Sequence, residues 1–341
     1  MKPRHLAILF ALALVLAACN GAGEGVDVNG EQGEDGVEAA PGTLVAAISS
    51  QPDQFDPHAT TAYASFQVLE NVYDTLVVPN PETLEFEPSL AEDWEVSDDD
   101  LTWTFNLRDG VTFHDGSEFA ADDVVYSFNR IIDEELANAF RFANVDEVTA
   151  VDDLTVEVTV SEPTPNLLAN IGGFKGMAIL SEGAADDFDL ATEANGTGPF
   201  LLESVGADSV NLGAFEDYWG EGPSVEGVEF RFIAESTTAL TELRTGGVHW
   251  TDNVPPQEVQ TLADDDQVVL ETLPSVDYWY MTMNYDAEPF GDPDVRQAIA
   301  LALDREAITE AAHFDAATVN QTAIPEDSVW YTDYAPYDQD Q

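Results

Sequence analysis

Acidic side chains outnumber basic ones 67 to 10 in this 341-residue chain, a formal charge of −57. Any compact fold must hold that charge against its own repulsion. Salt is the simplest remedy, because the screening length falls to about 3 Å at molar ionic strength. The only lysines are Lys2 and Lys175, and such scarcity fits a salt-adapted protein facing brine. A merely acidic extracellular protein is the plainer alternative. A nucleic-acid binder needs a basic surface to neutralise phosphates, which this chain cannot build. An anionic membrane surface would repel it as well. Apolar residues still make up 44% of the chain. That is enough for a folded core, and the length allows two domains.

The first residues read as a processing signal. Lys2, Arg4 and His5 precede an uncharged run, Leu6 to Ala18, too short for a membrane-spanning helix of about 20 residues. The run ends in Leu-Ala-Ala-Cys, Leu16 to Cys19. Cys19 is the single cysteine, so it has no partner for an internal disulfide. This boundary resembles the lipobox of bacterial lipoproteins, which implies a signal peptide at 1–18 and lipid on Cys19. Residues 19–42 are rich in Gly, Glu and Asp and are expected to be a disordered acidic tether. The body from Pro41 carries 8 basic and 61 acidic residues, or −53.

Within the body, Thr43 to Ile48 suits a buried strand, and the Ser-, Pro- and Asp-rich stretch after it a loop. Phe66, Leu69, Val72, Tyr73 and Leu76 recur at helical spacing. Leu101, Trp103, Phe105 and Leu107 alternate with polar residues, as expected for a strand with one buried face. Leu154 to Val160 and Val228 to Ile233 also read as strands. Val124, Phe128, Ile131 and Ile132 mark a helix. Asp292 and Pro293 read as the cap and first residue of another, with Val295, Ala298, Ile299, Ala302 and Leu303 on its apolar face. The mixture is an α/β class without strict alternation.

His114 and Asp115, followed by Asp122 and Asp123, could mark a metal site or an acid–base pair. Adjacent side chains point apart, however, and no metal-ligand spacing accompanies them. His-Asp-Gly is turn chemistry, and Asp122 and Asp123 suit the first turn of a helix. A scaffold role is therefore expected.

The segment Pro88 to Arg130 resembles the signature of extracellular solute-binding proteins, family 5, the peptide-, dipeptide- and nickel-binding lipoproteins of ABC importers. Gly-Thr-Gly-Pro-Phe at 196–200 and the block Met283 to Ile308 continue the resemblance. One departure is Ala120, where the family usually has a hydroxyl cap; the carboxylates of Asp122 and Asp123 are expected to compensate. The resemblance implies a periplasmic-binding-protein-like two-lobed clamp of the large cluster C type. Residues 43–275 would form the first lobe, with an extra subdomain at roughly 80–195. Residues 276–341 would form the hinge crossing and the start of a second lobe that is mostly missing. The chain is thus expected to be a C-terminal truncation, forming alone a first lobe with an incomplete sheet edge and no clamp.

The implied function is capture of oligopeptides or dipeptides outside the cytoplasm by a monomer, lipid-anchored to the membrane, which delivers them to ABC permease subunits. No enzyme activity, cofactor, metal or nucleic-acid partner is implied. After the Asp56-Pro57-His58 motif, Thr61 and Tyr63 match ligand-contacting positions; Tyr63 could equally be a core anchor. Asp277, Tyr278 and Trp279 offer a carboxylate and two aromatic faces, of which alternation would turn only one to the cleft. Phe140 lies near a first-lobe aromatic of the peptide binders. A same-fold binder of a nickel chelate or a sugar is the nearest alternative. From other classes, a secreted hydrolase using two carboxylates and a polyanionic surface protein are carried.

Overall fold

The computed structural model describes residues 42–80, 85–172, 175–272, 279–314, 316–322, 324 and 331–332. The signal, Cys19 and the tether up to residue 41 lie outside the described residues, as do Asp277 and Tyr278.

In chain order, β1 (Thr43–Ile48) leads through a loop to α1 (Tyr63–Leu69) and the short strands β2 (Val77–Pro79) and β3 (Phe86–Pro88). Then come β4 (Ala91–Val96), β5 (Thr102–Leu107), α2 (Ala121–Asp133), β6 (Val145–Asp152) and β7 (Thr155–Val160). Short helices α3 (Leu167–Ile171) and α4 (Ala184–Asp187) precede β8 (Phe200–Val205), β9 (Ser209–Ala214) and β10 (Gly227–Phe232). α5 (Ser236–Thr245), β11 (Trp250–Thr251), α6 (Val259–Ala263), α7 (Pro293–Ala302) and α8 (Arg305–His313) follow.

One sheet has the order β11-β1-β10-β9-β8, with β1 parallel to β10 and β11 and the other pairs antiparallel. A second, β4-β5-β7-β6, is antiparallel throughout. The alternation read from the sequence holds in β5, where Trp103, Phe105 and Leu107 are buried between half-buried neighbours. These residues join Val124, Phe128 and Ile131 of α2 in one apolar cluster. A different cluster joins Ile48, Phe66, Leu69, Leu212 and Phe230 around the first sheet. Ala178 and Leu180 belong to it as well, so the chain returns to the first sheet after supplying the second.

Helix α1 stops at Leu69, although the apolar spacing runs on to Leu76. The reason lies in the backbone that follows. Asn71 and Val72 give their carbonyls to the amides of Phe200 and Gly198, each at 3.0 Å. Carbonyls turned to the 196–200 loop cannot continue a helical ladder. Val72, Tyr73 and Leu76 are buried all the same, in a turn rather than a helix. A Cβ on Gly198 would lie 2.6 Å from the Val72 carbonyl carbon, so the glycines of Gly-Thr-Gly-Pro-Phe permit close backbone approach. At the other end of the chain, the Asp292 carboxylate accepts from the Asp294 amide at 2.9 Å and caps α7, as its sequence implies.

The two clusters are tied by a buried ion pair. Arg130 of α2 donates twice to Asp56, at 2.6 and 3.1 Å, and both side chains are 8% exposed. The Nη1 of Arg130 also faces His58 Nδ1 at 3.0 Å, while His58 Nε2 lies 2.8 Å from the Ala178 carbonyl. Since guanidinium only donates and carbonyl only accepts, His58 is neutral with its proton on Nε2. Burial pushes its imidazole down to about 4, and Arg130 acts in the same direction. Burial works to raise the Asp56 carboxyl, but Arg130 overrides it and holds it below the usual carboxylate value.

Two outcomes follow. Arg130→Met leaves Asp56 buried and unpaired and should cost about 3–5 kcal/mol in chemical denaturation. A loss under about 1 kcal/mol would contradict the tie, since it would place the pair at the worth of an exposed one. As pH falls from 6.5 towards 4, the unfolded chain takes up a proton that native His58 refuses. Stability is then lost at up to about 1.4 kcal/mol per pH unit. Buried Asp123, whose carboxyl is raised, acts with the opposite sign. The comparison is therefore with His58→Asn, in which the slope assigned to His58 should be absent.

Candidate functional site

Because β1, β10 and β11 run in one direction, their carboxyl ends open on the same edge of the sheet. In open α/β sheets that edge is where ligands are met. The loop after β1 carries Thr61 and leads into Tyr63, the first residue of α1. The segment after β11 carries Asp252 and Asn253. Asn253 Nδ2 reaches the carbonyls of Ile233 and Ala234, just past β10, at 3.3 and 3.2 Å. The three strand ends are thus stitched into one rim.

Two side chains of α1 converge on Asp252. Its Oδ2 accepts from the Tyr63 hydroxyl at 3.2 Å and from Gln67 Nε2 at 2.8 Å. The Tyr63 ring is 68% exposed, which rules out the core-anchor alternative. The approach to α1 is fixed by Asp53, whose Oδ1 accepts from the Thr60 and Ser65 hydroxyls at 2.7 Å each. Burial tends to raise the Asp53 carboxyl, but these hydroxyls outweigh it and the group lies below its ordinary value. Thr61, between them, is exposed.

Phe140 occupies a different place, the 3-10 turn Ala139–Phe142. It is 71% exposed, with the Arg141 guanidinium 5.4 Å from its ring centre. It edges a small cavity of about 190 Å³ that also meets Asn144, Thr164 and Asn170. Trp279 is 91% exposed and packs edge-on to His313, with centroids 5.7 Å apart. A cleft of about 470 Å³ between Pro256, Gln257 and Gln260 and the α8 residues Ala307 and Glu310 meets none of the predicted residues.

The His114 segment is scaffold. His114 Nε2 lies 2.9 Å from the Gly198 carbonyl, and its Nδ1 accepts from the Gly196 amide at 3.3 Å. Burial holds this imidazole below its ordinary pKa. Asp115 turns away and accepts from the Ser117 amide and hydroxyl at 2.9 and 2.7 Å. Asp123 accepts from the Ala120 amide at 2.8 Å, supplying one side of the cap that Ala120 cannot make. Its second oxygen takes the Glu182 amide at 2.7 Å. Among the described residues no cluster of His, Cys, Asp and Glu has the arrangement of a metal site. No described helix is long and apolar enough to cross a membrane.

Sequence reasoning missed Gln67 and Asp252. Asp252 is 189 residues from Tyr63, and only its place after a parallel strand marks it.

The chain resembles known proteins along most of its length. Residues 85–341 match the model of bacterial extracellular solute-binding proteins, family 5 (middle region). The glutathione-binding protein GsiB of Salmonella paratyphi A is 29% identical over 303 residues, covering 87% of this chain and 59% of that protein. The dipeptide-binding protein of Escherichia coli K12 is 29% identical over 322 residues, covering 85% and 59%. Among solved structures, the ABC transporter-associated periplasmic binding protein DppA of Helicobacter pylori, in complex with peptide STSA, superposes with a TM-score of 0.81. That match is 29% identical and covers 89% of this chain and 64% of DppA. The chain therefore spans about three-fifths of the length of these relatives. Their fold is the periplasmic-binding-protein clamp, and theirs is a family of solute binders rather than enzymes. With three-quarters of its residues matched to the family model, the chain belongs to the extracellular solute-binding proteins, family 5.

Proposed function

We propose that this chain supplies the first-lobe face of a solute-binding component of an ABC importer, one that captures oligopeptides or dipeptides outside the cytoplasm and delivers them to the membrane permease. The observation that carries the reading is Tyr63, exposed and held by its hydrogen bond to Asp252 at the carboxyl edge of the parallel strands. Thr61 beside it and the exposed ring of Trp279 would add contacts. Aromatic faces on a cleft stack on a ligand at low entropic cost. The peptide in DppA and the dipeptides named for the Escherichia coli relative favour peptides over chelates or sugars.

The finer features belong to the same reading. Cys19 would carry the lipid, and the acidic tether would hold a monomeric body off the membrane. Residues 43–275 would be the first lobe, and 276–341 the crossing toward the second. The binding chemistry calls for no cofactor. The charge of −57 would be an adaptation to brine.

A single lobe face is expected to bind a peptide weakly on its own, so nuclear magnetic resonance is the suitable probe. Titration with trialanine should move the amide signals of Thr61 and Tyr63 with a millimolar midpoint. Nickel–histidine and glucose should leave them in place. If trialanine moves no signal on this rim, the peptide reading fails. The salt reading has its own check. The thermal midpoint should rise by about 5 °C or more between 0.1 and 2 M KCl, as screening removes repulsion. A flat or falling midpoint would mean that the excess charge is not a salt adaptation.

A further inference from the structure

The carboxylate at the rim lacks something that the chain does not provide. Asp252 accepts from two neutral donors through Oδ2, and among the described residues no Lys, Arg or His forms an ion pair with it. The ion pairs of Arg108, Arg130, Lys175, Arg231 and Arg244 all go to other carboxylates. The second lack is in Gln67. A carboxylate only accepts, so the amide nitrogen must face Asp252, which fixes the orientation of the group. Gln67 Oε1 is then buried without a hydrogen-bond partner. Two acceptors, one of them charged, therefore stand together and lack a donor. The Tyr63 hydroxyl stands beside them, 3.2 Å from Asp252 Oδ2.

Resting on the solute-binding reading, we infer that Tyr63, Gln67 and Asp252 form a subsite for a cationic nitrogen of the solute, a primary ammonium or a guanidinium. Such a group donates several hydrogen bonds and accepts none, which is the complement of what the rim presents. A solute carbonyl would find no donor at these acceptors, and a solute carboxylate would be repelled by Asp252. On a peptide the cation can come from the α-ammonium or from a lysine or arginine side chain.

The test is a nuclear magnetic resonance titration of the chain at one fixed KCl concentration with three tripeptides. Acetyl-Lys-Ala-Ala carries only the side-chain ammonium, norleucine-Ala-Ala only the α-ammonium, and acetyl-norleucine-Ala-Ala neither. At least one cationic peptide should bind about fivefold more tightly than the neutral one, the upper range for an exposed ion pair. Which one does so identifies the source. The shifts should include the Gln67 side-chain amide. Asp252→Asn keeps an acceptor for Tyr63 and Gln67 but removes the charge, so it should keep the thermal midpoint and bind all three alike. A preference that survives in Asp252→Asn would belong to the general negative field and overturns the subsite. Equal binding of all three by the wild type, with Thr61 and Tyr63 still shifting, overturns the subsite and leaves the peptide reading intact. Binding of none removes both.

Discussion

The Asp56–Arg130 pair is the contact on which the arrangement of this chain depends. It joins the loop after β1 to helix α2, and so the apolar cluster of the first sheet to that of the second. A buried pair needs partners for its remaining donors and acceptors, and most but not all are met: Arg130 Nε is buried without a hydrogen bond, with only the Glu134 carboxylate at 3.8 Å. Here the His58 amide takes part of Asp56, and neutral His58 takes part of Arg130 and anchors to the Ala178 carbonyl. Lys175 repeats the device nearby. Its ammonium donates to the Tyr73 carbonyl at 2.6 Å and lies 3.7 Å from Asp74. Lys175, the one lysine besides Lys2, thus stands where the chain returns from the second sheet to the first. Salt screens exposed pairs far more than buried ones, so such ties depend little on ionic strength.

With cations so few, several carboxylates are held by neutral donors alone. Asp53 is held by two hydroxyls, Asp123 by two backbone amides, and Asp252 by a phenol and a carboxamide. Neutral donors fix a carboxylate in place without cancelling its charge. At Asp53 and Asp123 this builds the frame. At Asp252, on the rim, the same chemistry leaves a positioned negative charge at the carboxyl edge of the parallel strands.

Much of this was legible in the sequence. The alternation through Trp103, Phe105 and Leu107, the spacing of Val124, Phe128 and Ile131, and the Asp292-Pro293 cap are local signals, and local geometry obeyed them. The scaffold role of His114 was legible too, because adjacent side chains cannot converge. The end of α1 was not. It depends on carbonyls of Asn71 and Val72 being claimed by a loop more than a hundred residues later. The Asp56–Arg130 and Tyr63–Asp252 contacts span 74 and 189 residues, and no periodicity encodes such pairings. Tyr63 itself was visible only through family resemblance, and its exposure is set by the fold around it. Phe140 lies on another element, the 3-10 turn Ala139–Phe142, beside its own small cavity.

The most direct measurement is a crystal structure of this chain grown with a tripeptide in molar KCl. The peptide should lie along the rim formed after β1, β10 and β11, touching Thr61 and Tyr63, with the Asp56–Arg130 pair unbroken behind it. Peptide density at the Phe140 cavity or in the α8 cleft, with the rim bare, would contradict the assignment of this edge as the solute-binding face.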